Sequence, residues 1–487
     1  MRAFQRIHHK LNWSRRRYVG LILTLLAVGY LASAIYHTYK PLPAGLDVEG
    51  QLRHADVRFI ADETYIDAEG RQQLDQHIFN EMLRMIDEAQ TTVVLDTFLF
   101  NPEVGLAKTQ HRALTAELTQ ALITKRQQKP GIEMSVITDP INSVYGGVAP
   151  EHYRQLRQHG IQLIETDLTP LRASNPLWSG LWYICCQGLG NHPEKGWLPN
   201  PFGTERITLR SYLQLANFKA NHRKTMIIDT PNGWKALVTS ANPHDGSSRH
   251  GNVALVVQGN TAIDLLKTEQ AVAKMSQGDL PIVITGEFEA AQNKPQVQVL
   301  TEAAIYRKTL ALIQGARPHD QLDLAMFYLS ERQIVRSLIA AHERGVQLRV
   351  LLDPNKDAFG RQKNGIPNRQ VAMELHQAGV PVRWCNTHGE QCHSKMLLKR
   401  GEKNSELIAG SANFTARNLK NYNLETDLRV IGHATAPVFQ DAAHYFNTAW
   451  SNLDGRNMSV PYQQYADHSK VEYWLYRFME WSGLSTF

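Results

Sequence analysis

The most continuous apolar stretch of the chain lies near its N-terminus. From Tyr18 to Tyr36 it contains no charged residue, and its only polar aliphatic residues are Thr24 and Ser33. At about 1.5 Å per residue, a helix over this stretch measures about 28 Å, close to the thickness of the hydrocarbon core of a bilayer. The pattern therefore predicts a membrane-spanning helix over residues 18–36.

Two alternatives to a retained anchor stay open. The first is a secretory signal peptide, since Ala32, Ser33 and Ala34 resemble a small-residue cleavage site. The second is a buried helix of a soluble core, which is disfavoured because the stretch has no polar face. The apolar run is longer than most signal-peptide cores, so we expect the helix to be retained.

Beyond this stretch, short apolar runs alternate with amphipathic segments. Residues 93–100 and 324–329 indicate strands, whereas residues 78–89, 113–126 and 331–343 indicate helices. Alternation of this kind is typical of α/β units. A hydrophobic content of 43% with 20% charged residues excludes a mostly disordered or fibrous chain.

The charge distribution predicts how the chain is oriented. The formal net charge is +6, but residues 1–46 contain seven basic side chains and no acidic one, which leaves 45 basic against 46 acidic residues in the body. Arg15, Arg16 and Arg17 directly precede the apolar stretch, so the positive-inside rule places the N-terminus in the cytoplasm. We expect a single-pass protein of a bacterial-type inner membrane, with its body on the exported, periplasmic side. The near-neutral body argues against nucleic acid as a partner.

A repeated cluster of polar residues divides the chain into two copies. In each copy a His-x-Lys pair is followed, after fifteen intervening residues, by Ser-Ala-Asn. The two sets are His222, Lys224, Ser240 and Asn242, and His393, Lys395, Ser411 and Asn413. Identities at matched spacing indicate an internal repeat.

The repeat sets the expected domain boundaries. We expect a cytoplasmic basic segment at 1–17, the anchor at 18–36, a linker at 37–74, a first half at 75–280, a linker at 281–300, a second half at 301–455 and an aromatic tail at 456–487. The first copy is 48 residues longer between its helix-capping glycine and its histidine, which predicts an insertion at about 167–210.

Both the insertion and the tail are rich in aromatic residues. The insertion fits a lid, a lipid-facing surface or the small core of a long loop. The tail fits either packing of a terminal helix or an interfacial belt.

The repeated residue types suit phosphoryl chemistry. If the halves pack face to face, two imidazoles, two ammonium groups and two carboxamides converge on one pocket. Lys and Asn donate to anionic oxygens and Ser adds hydroxyl donors, so we expect Ser240, Asn242, Ser411 and Asn413 to bind the substrate phosphate. One histidine can attack phosphorus while the other protonates the departing alkoxide. The scheme requires no metal and no cofactor, and the motif lacks the carboxylate cluster of a two-metal phosphodiesterase.

These motifs resemble the paired HxKxxxxD motifs of the phospholipase D superfamily with their downstream GSxN element. The first motif is His222-x-Lys224-x4-Asp229, and the second is His393-x-Lys395 followed by Gly410-Ser411-x-Asn413. The likeness covers about residues 75–455. It implies two phospholipase D-type α/β/α halves packed around a shared active site, here preceded by one transmembrane helix. It also implies a phosphohistidine intermediate, no metal, and hydrolysis or transphosphatidylation of phosphodiesters.

The second copy departs from this pattern at Arg400, which stands where the motif carries Asp. We expect Arg400 to lie outside the phosphate contacts. Asp229, at the same place in the first copy, is either catalytic or structural. Glu425 aligns with Asn252, so only the second half keeps a carboxylate for the other ring nitrogen of a histidine. We therefore expect His393 to pair with Glu425, while the identity of the nucleophilic histidine stays open.

Four cysteines are present. Cys185 and Cys186 are adjacent, and Cys385 and Cys392 are seven residues apart, so no strong zinc pattern appears. In an oxidising compartment we expect a Cys385–Cys392 disulfide in preference to free thiols.

The leading functional prediction is a membrane-anchored phosphatidyltransferase or phospholipase D that resembles bacterial cardiolipin synthases. Its partners are then phospholipid and the membrane. One alternative is an exported nuclease or phosphodiesterase of the same superfamily. A second alternative is a non-catalytic membrane scaffold, which the unusual Arg400 and Asn252 suggest.

Overall fold

The computed structural model describes residues 14–282, 284, 288, 290–485 and 487. Most of the basic segment expected at 1–17 and part of the linker expected at 281–300 therefore lie outside the described residues. The first described element is the helix Arg15–Tyr39, which contains the predicted anchor. Only 6% of its most apolar 18-residue window is buried inside the protein, and the mean hydropathy of that window is 2.0. The helix is thus long and apolar enough to cross a membrane.

The described helices and strands alternate along the chain. The helices are α1 (Arg15–Tyr39), α2 (Ile78–Glu88), α3 (Leu114–Gln128), α4 (Glu151–Gln158), α5 (Pro176–Cys185), α6 (Leu209–Leu215), α7 (Asn260–Met275), α8 (Ala303–Gly315), α9 (Arg332–Glu343), α10 (Asn368–Gln377), α11 (Ala416–Leu419), α12 (Pro437–Ser451) and α13 (Lys470–Ser482). The strands are β1 (Arg53–His54), β2 (Val57–Ile66), β3 (Gln72–Asp75), β4 (Thr92–Thr97), β5 (Glu133–Thr138), β6 (Gln162–Glu165), β7 (Lys224–Thr230), β8 (Gly233–Thr239), β9 (Asn252–Gln258), β10 (Gln296–Thr301), β11 (Gln321–Met326), β12 (Gln347–Leu352), β13 (Asp357–Ala358), β14 (Arg361–Gln362), β15 (Val382–Cys385), β16 (Lys395–Arg400), β17 (Asn404–Gly410), β18 (Thr426–His433) and β19 (Ser459–Pro461).

Two large sheets share one strand order. The first runs β3-β2-β9-β8-β7-β4-β5-β6, and the second runs β1-β10-β18-β17-β16-β11-β12-β15-β19. Seven consecutive strands of each sheet correspond one to one, namely β2-β9-β8-β7-β4-β5-β6 and β10-β18-β17-β16-β11-β12-β15. Within these sets β4-β5-β6 and β11-β12-β15 are parallel, and the other neighbours are antiparallel. The expected α/β fold of two repeated halves after one apolar helix is confirmed.

The two sheets pack against each other through a shared core. Ile227 and Val238 of the first sheet belong to the same buried cluster as Met396 and Leu407 of the second. The outer faces are covered by helices, with α2 to α4 on the first sheet and α8 to α10 on the second. Because the central strands are buried on both faces, they are continuously apolar rather than alternating.

The structure differs from the expected boundaries at both ends of the halves. Strand β2 lies within the segment assigned to a linker, yet it pairs with β9 and extends the first sheet back to Val57. Strand β1 pairs with β10 of the second sheet, and β19 from the aromatic tail pairs with β15. These additions cover strand edges that would otherwise expose unpaired backbone groups.

The insertion of the first half follows β6 and contains α5 and α6. Its adjacent Cys185 and Cys186 form a disulfide. Cys385 and Cys392 form a second disulfide, which joins the end of β15 to the residue before His393.

Candidate active site

The two His-x-Lys pairs occupy equivalent places in the two sheets. Each lysine is the first residue of its strand, with Lys224 in β7 and Lys395 in β16. Residues two apart in an extended chain point the same way, so each histidine accompanies its lysine. Lys224 Nζ donates to the backbone oxygen of His222 at 2.6 Å, and Lys395 Nζ donates to that of His393 at 2.7 Å.

Backbone contacts between the halves hold each histidine beside a loop of the other half. The backbone N–H of His222 donates to Leu424 at 2.9 Å, and that of His393 donates to Gly251 at 2.7 Å. Leu424 and Gly251 are the residues just before Glu425 and Asn252. The carboxylate or carboxamide of one half therefore lies beside the imidazole of the other.

This exchange corrects the expected pairing of His393 with Glu425. Glu425 lies 2.8 Å from Nδ1 of His222, whereas Nδ1 of His393 lies 3.2 Å from Oδ1 of Asn252. The expectation was wrong because it placed Glu425 with the histidine of its own half. The segment before β18 instead runs alongside the segment before β7.

The repeated serines orient these partners. Ser240 Oγ donates to Oδ1 of Asn252 at 3.1 Å, and Ser411 Oγ donates to a carboxylate oxygen of Glu425. Asn418 donates to the other carboxylate oxygen of Glu425. Both serines are fully buried. Their hydroxyls are thus engaged with Asn252 and Glu425, in contrast to the expected direct contact with phosphate.

The repeated asparagines Asn242 and Asn413 are almost completely buried. Asn242 Oδ1 accepts the backbone N–H of Leu99 at 3.3 Å. Asn413 Oδ1 has no hydrogen-bond partner among the described residues. If the oxygen and nitrogen of this amide are exchanged, an N–H donor takes that place and can bind an anion.

A phenylalanine at the end of an equivalent strand packs on each histidine. The ring centroids of Phe98 and His222 are 4.8 Å apart, and so are those of Phe327 and His393. Lys224 lies 5.1 Å from the centre of Phe98, and Lys395 lies 5.2 Å from that of Phe327. Both residues were missed in the sequence, although each follows the strand that the repeat matches between the halves.

Buried aspartates fix the backbone just before each histidine. Asp139 accepts the backbone N–H of Asn221 at 2.6 Å, and Asp353 accepts that of Cys392 at 2.8 Å. Each also accepts the backbone N–H two residues further on, which forms a tight turn. These side chains therefore position the segments that precede His222 and His393 as well as the turns that follow their own strands.

In the absence of a bound anion, the surroundings of the two histidines and two lysines favour their neutral forms. Burial, followed by the charges of Lys224 and Lys395, lowers the pKa of His222 and His393 well below its usual value. Burial lowers the pKa of Lys224 to about 7 and lowers the pKa of Lys395 strongly. Burial also raises the pKa of the Glu425 carboxyl. A bound phosphodiester anion would offset the lowering of the histidine and lysine pKa values, so its binding would favour the protonated forms of these side chains.

The structure does not bring Asp229 to the histidines. Asp229 lies near the opposite end of β7, about 17 Å along the strand from Lys224. Its carboxylate accepts the backbone N–H groups of Gln90, Thr91 and Thr92. The residue therefore ties β7 to the turn before β4, and its expected catalytic role is not supported by its position.

Arg400 occupies the same place at the far end of β16. Its guanidinium forms a 3.0 Å ion pair with Asp323 and contacts no histidine. Its position agrees with the expectation that it lies outside the phosphate contacts.

A third histidine lies near the pocket. The ring centroids of His250 and His393 are 5.9 Å apart, and Phe359 stacks on His250 at 5.8 Å. Burial lowers the pKa of His250 to about 3, so its imidazole is neutral at physiological pH. Nothing in the repeat marks this residue, because it has no counterpart in the other half.

The paired sheets and the two repeated His-x-Lys pairs, together with the matches below, support a phospholipase D-type phosphodiesterase or transferase. A family described as cardiolipin synthase, PLD-like domain, matches residues 309–450, which include His393 and Lys395.

The proteins that are similar to the chain include two curated relatives and one solved structure. Mitochondrial cardiolipin hydrolase of Mus musculus is 26% identical over 168 residues, which are 34% of this chain and 67% of the relative. The Homo sapiens protein is 31% identical over 120 residues, which are 25% of this chain and 42% of the relative. The crystal structure of phosphatidylserine synthase from Haemophilus influenzae Rd KW20 superposes with a TM-score of 0.53 at 10% identity, covering 93% of this chain and 98% of that one. At this identity the superposition shows a shared fold alone.

Proposed function

We propose that the protein is a membrane-anchored phosphatidyltransferase or phospholipase D that acts on phospholipid phosphodiesters through a phosphohistidine intermediate. The observation that carries this proposal is the exchanged pairing of His222 with Glu425 and of His393 with Asn252. In both pairs the partner occupies Nδ1, which leaves Nε2 of each imidazole for the reaction.

His222 is the nucleophile in this proposal. Attack by Nε2 on phosphorus makes the imidazole cationic, with its Nδ1–H donated to Glu425. The carboxylate offsets this charge, which a carboxamide does far less well. The other partners of Glu425, Ser411 and Asn418, hold the carboxylate in place as the charge develops.

His393 is the general acid in the first step. As the P–O bond to the leaving group breaks, the electron pair moves to the departing oxygen and Nε2 of His393 supplies the proton. The neutral amide of Asn252 stabilises an imidazolium less than a carboxylate does, so His393 releases its proton readily. In the second step water or an alcohol gives its proton to His393 and attacks phosphorus, which frees His222.

Lys224, Lys395, Asn242 and Asn413 are the proposed phosphate ligands. The two ammonium groups balance the charge of the phosphodiester, and the amides add neutral donors. Asp229 has no part in this chemistry.

Phospholipid is the substrate class that the apolar helix α1 and the cardiolipin-related relatives favour. The near-neutral body lacks the excess of basic residues that tight polyanion binding draws on. We place the catalytic body on the exported side of a bacterial-type inner membrane, because Arg15, Arg16 and Arg17 precede the apolar run.

Trapping the covalent intermediate tests the proposal. The protein in proteoliposomes should form an acid-labile, base-stable adduct with phospholipid labelled in its phosphatidyl group, and His222→Ala should abolish it. His393→Ala should still form the adduct from a phosphodiester with a nitrophenol leaving group, since this group departs without a proton. Adduct formation in His222→Ala, or cleavage of single-stranded DNA with inert phospholipid, would contradict the proposal. Absence of any adduct and any turnover would favour the scaffold alternative.

A further inference from the structure

Helices α1 and α5 run side by side in the same direction. The hydroxyl of Tyr30 donates to the backbone oxygen of Leu177 at 2.8 Å, and Ser33 Oγ donates to that of Gly180 at 3.0 Å. A Cβ on Gly180 would lie 2.8 Å from that of Ala34, so the helices approach closely where both residues are small. Seven residues beyond Tyr30, the ring of His37 stacks on Tyr183 at 3.5 Å.

The position of α5 along α1 fixes its depth if α1 spans the bilayer. The contacts between the helices extend from Tyr30 to His37, which is about 10 Å of helix. The hydrocarbon core is about 30 Å thick, and the apolar run matches it only when all of residues 18–36 are included. A shorter run over residues 18–29 would measure only about 18 Å. The outer end of that core therefore lies beside α5 as well as α1.

The composition of α5 suits this depth. None of its residues from Pro176 to Cys185 is charged. Its side chains that face away from the protein are the exposed Leu177, Leu181 and Ile184. The non-helical backbone around the start of α5 is satisfied by protein, because Asn175 Nδ2 donates to Ala216 and Ser174 Oγ donates to Phe218. Irregular backbone is tolerated at membrane depth under that condition.

We propose that α5 is a re-entrant helix, inserted beside α1 into the leaflet from which α1 emerges towards the catalytic body. This inference rests on the proposed membrane anchor and deepens it. The partner is the acyl-chain region of a phospholipid bilayer, and its entry is restricted to one leaflet because α5 has only ten residues.

Insertion of α5 places the pocket near the phospholipid headgroups. Ala216 and Phe218, which accept hydrogen bonds at the start of α5, precede His222 by six and four residues. Even fully extended, the chain from Phe218 to His222 spans at most about 14 Å. A phosphodiester then reaches His222 while its acyl chains remain in the leaflet.

Helix α13 continues the same apolar surface. A Cβ on Gly483, at its C-terminal end, would collide with the backbone oxygen of Ser174, so α13 ends against the start of α5. Trp474, Phe478 and Trp481 are exposed, and Trp481 is 83% exposed. Tryptophan favours the membrane interface, so α13 lies at the headgroup level in this arrangement.

Depth-dependent quenching in proteoliposomes of the full chain tests the inference. A nitrobenzoxadiazole probe is attached, without reductant, to Leu181→Cys, to Ile35→Cys on α1 and to Leu74→Cys. Leu74 is the matched control because it is 42% exposed against 44% for Leu181, yet it lies on β3, at the opposite edge of the first sheet from β6. Acyl-chain spin labels should quench the probes at 181 and 35 strongly and the probe at 74 weakly.

The outcomes separate the inference from the anchor on which it rests. Quenching at 35 but not at 181 would overturn the re-entrant helix and leave the anchor intact. Absence of quenching at both positions would overturn the anchor together with the inference. Strong quenching at 74 would also count against the inference, because the body would then contact lipid without selectivity for α5.

A charge on α5 supplies an activity readout. Leu181→Arg should lower turnover of long-chain phospholipid in proteoliposomes by roughly 10-fold, since a charged side chain in the acyl region is unfavourable. The same variant should turn over a short-chain phospholipid, supplied below its critical micelle concentration, within about 2-fold of the wild-type rate, because that substrate needs no bilayer. Leu74→Arg should change neither rate. Equal long-chain turnover in Leu181→Arg and wild type would overturn the inference.

Discussion

His222 and Glu425 are 203 residues apart in the chain, and their side chains meet across the boundary between the two halves. The carboxylate lies 2.8 Å from Nδ1 and is completely buried. Each half thus supplies a histidine and the partner that orients the histidine of the other half. The asymmetry between Glu425 and Asn252 gives the two imidazoles different chemical surroundings in a pocket that is otherwise nearly symmetric.

Glu425→Gln should lower kcat by roughly 10- to 100-fold while the fold is kept. The variant retains a hydrogen-bond acceptor but loses the charge, and hydrogen bonds to charged groups contribute about 1.5–3 kcal/mol. Glu406→Gln is a matched control, since Glu406 pairs with Arg429 at 2.6 Å and lies outside the pocket. Steady-state turnover of phospholipid and thermal unfolding measure the effect. Unchanged kcat in Glu425→Gln, or an equal loss in Glu406→Gln, would count against the role of the carboxylate.

The pH dependence of kcat/KM should show a descent at about pH 7 from Lys224, in addition to the descent at lower pH that the lowered pKa of the general acid His393 produces. Burial lowers the pKa of Lys224 to about 7, so its ammonium is present below that pH and is lost as the pH rises through it. Because a bound phosphodiester stabilises the ammonium, the corresponding descent in kcat should occur at higher pH. Initial rates at low substrate give kcat/KM and those at saturating substrate give kcat. Measuring both from about pH 5 to about pH 9, a range that brackets the Lys224 pKa of about 7, tests this. Coincident descents in both profiles would contradict the expected coupling to phosphate.

Asp229→Ala should reduce stability and leave the chemistry nearly unchanged. The carboxylate accepts three backbone N–H groups and the hydroxyl of Thr91. Leaving such groups without a partner costs about 1–3 kcal/mol. We expect a lower thermal midpoint with kcat within about 2-fold of wild type. Lys224→Ala is the contrasting variant and should lose turnover. Loss of turnover by Asp229→Ala without a change in thermal midpoint would restore its catalytic assignment.

Replacing both Cys385 and Cys392 by Ser should lower both stability and turnover. Their disulfide closes a short loop that ends at the residue before His393. A loop of this length is expected to contribute about 2–3 kcal/mol through the entropy of the unfolded chain. Cys185→Ser/Cys186→Ser is the control, because a bond between adjacent residues closes no extended loop. Thermal unfolding without reductant compares the two variants, and an equal midpoint in both would contradict the prediction.

The repeat made most of the fold predictable. Matched spacing of His-x-Lys and Ser-x-Asn locates two equivalent strands, and alternation of apolar and amphipathic stretches indicates the α/β units around them. The edge strands β1 and β19 escaped prediction because they are only two and three residues long and their partners lie far away in the chain. Strands of this size carry too few residues for a hydrophobic period.

The composition of the site was more predictable than its pairing. The repeat identifies His222 and His393, but the choice between Glu425 and Asn252 as partner depends on how the halves face each other, which no local pattern records. The signal for Phe98 and Phe327 was present in the matched strands, yet an aromatic residue at a strand end is usually part of a core. Asp229 stands at the motif position, where the sequence alone left both a catalytic and a structural role open. In the structure its carboxylate binds the backbone at the start of β4.

The short segment that follows α1 limits how the body of the protein can be oriented relative to that helix. Residues 47–54 run along β10 of the second sheet, and β2 directly afterwards runs along β9 of the first. Lys40, the residue after α1, also donates to the backbone oxygen of Thr169 at 2.6 Å. This segment is therefore held by both sheets and does not act as a flexible tether. In the proposed membrane-anchored arrangement it sets the tilt of the body relative to α1, so the same face of the protein is turned towards the lipid at every turnover.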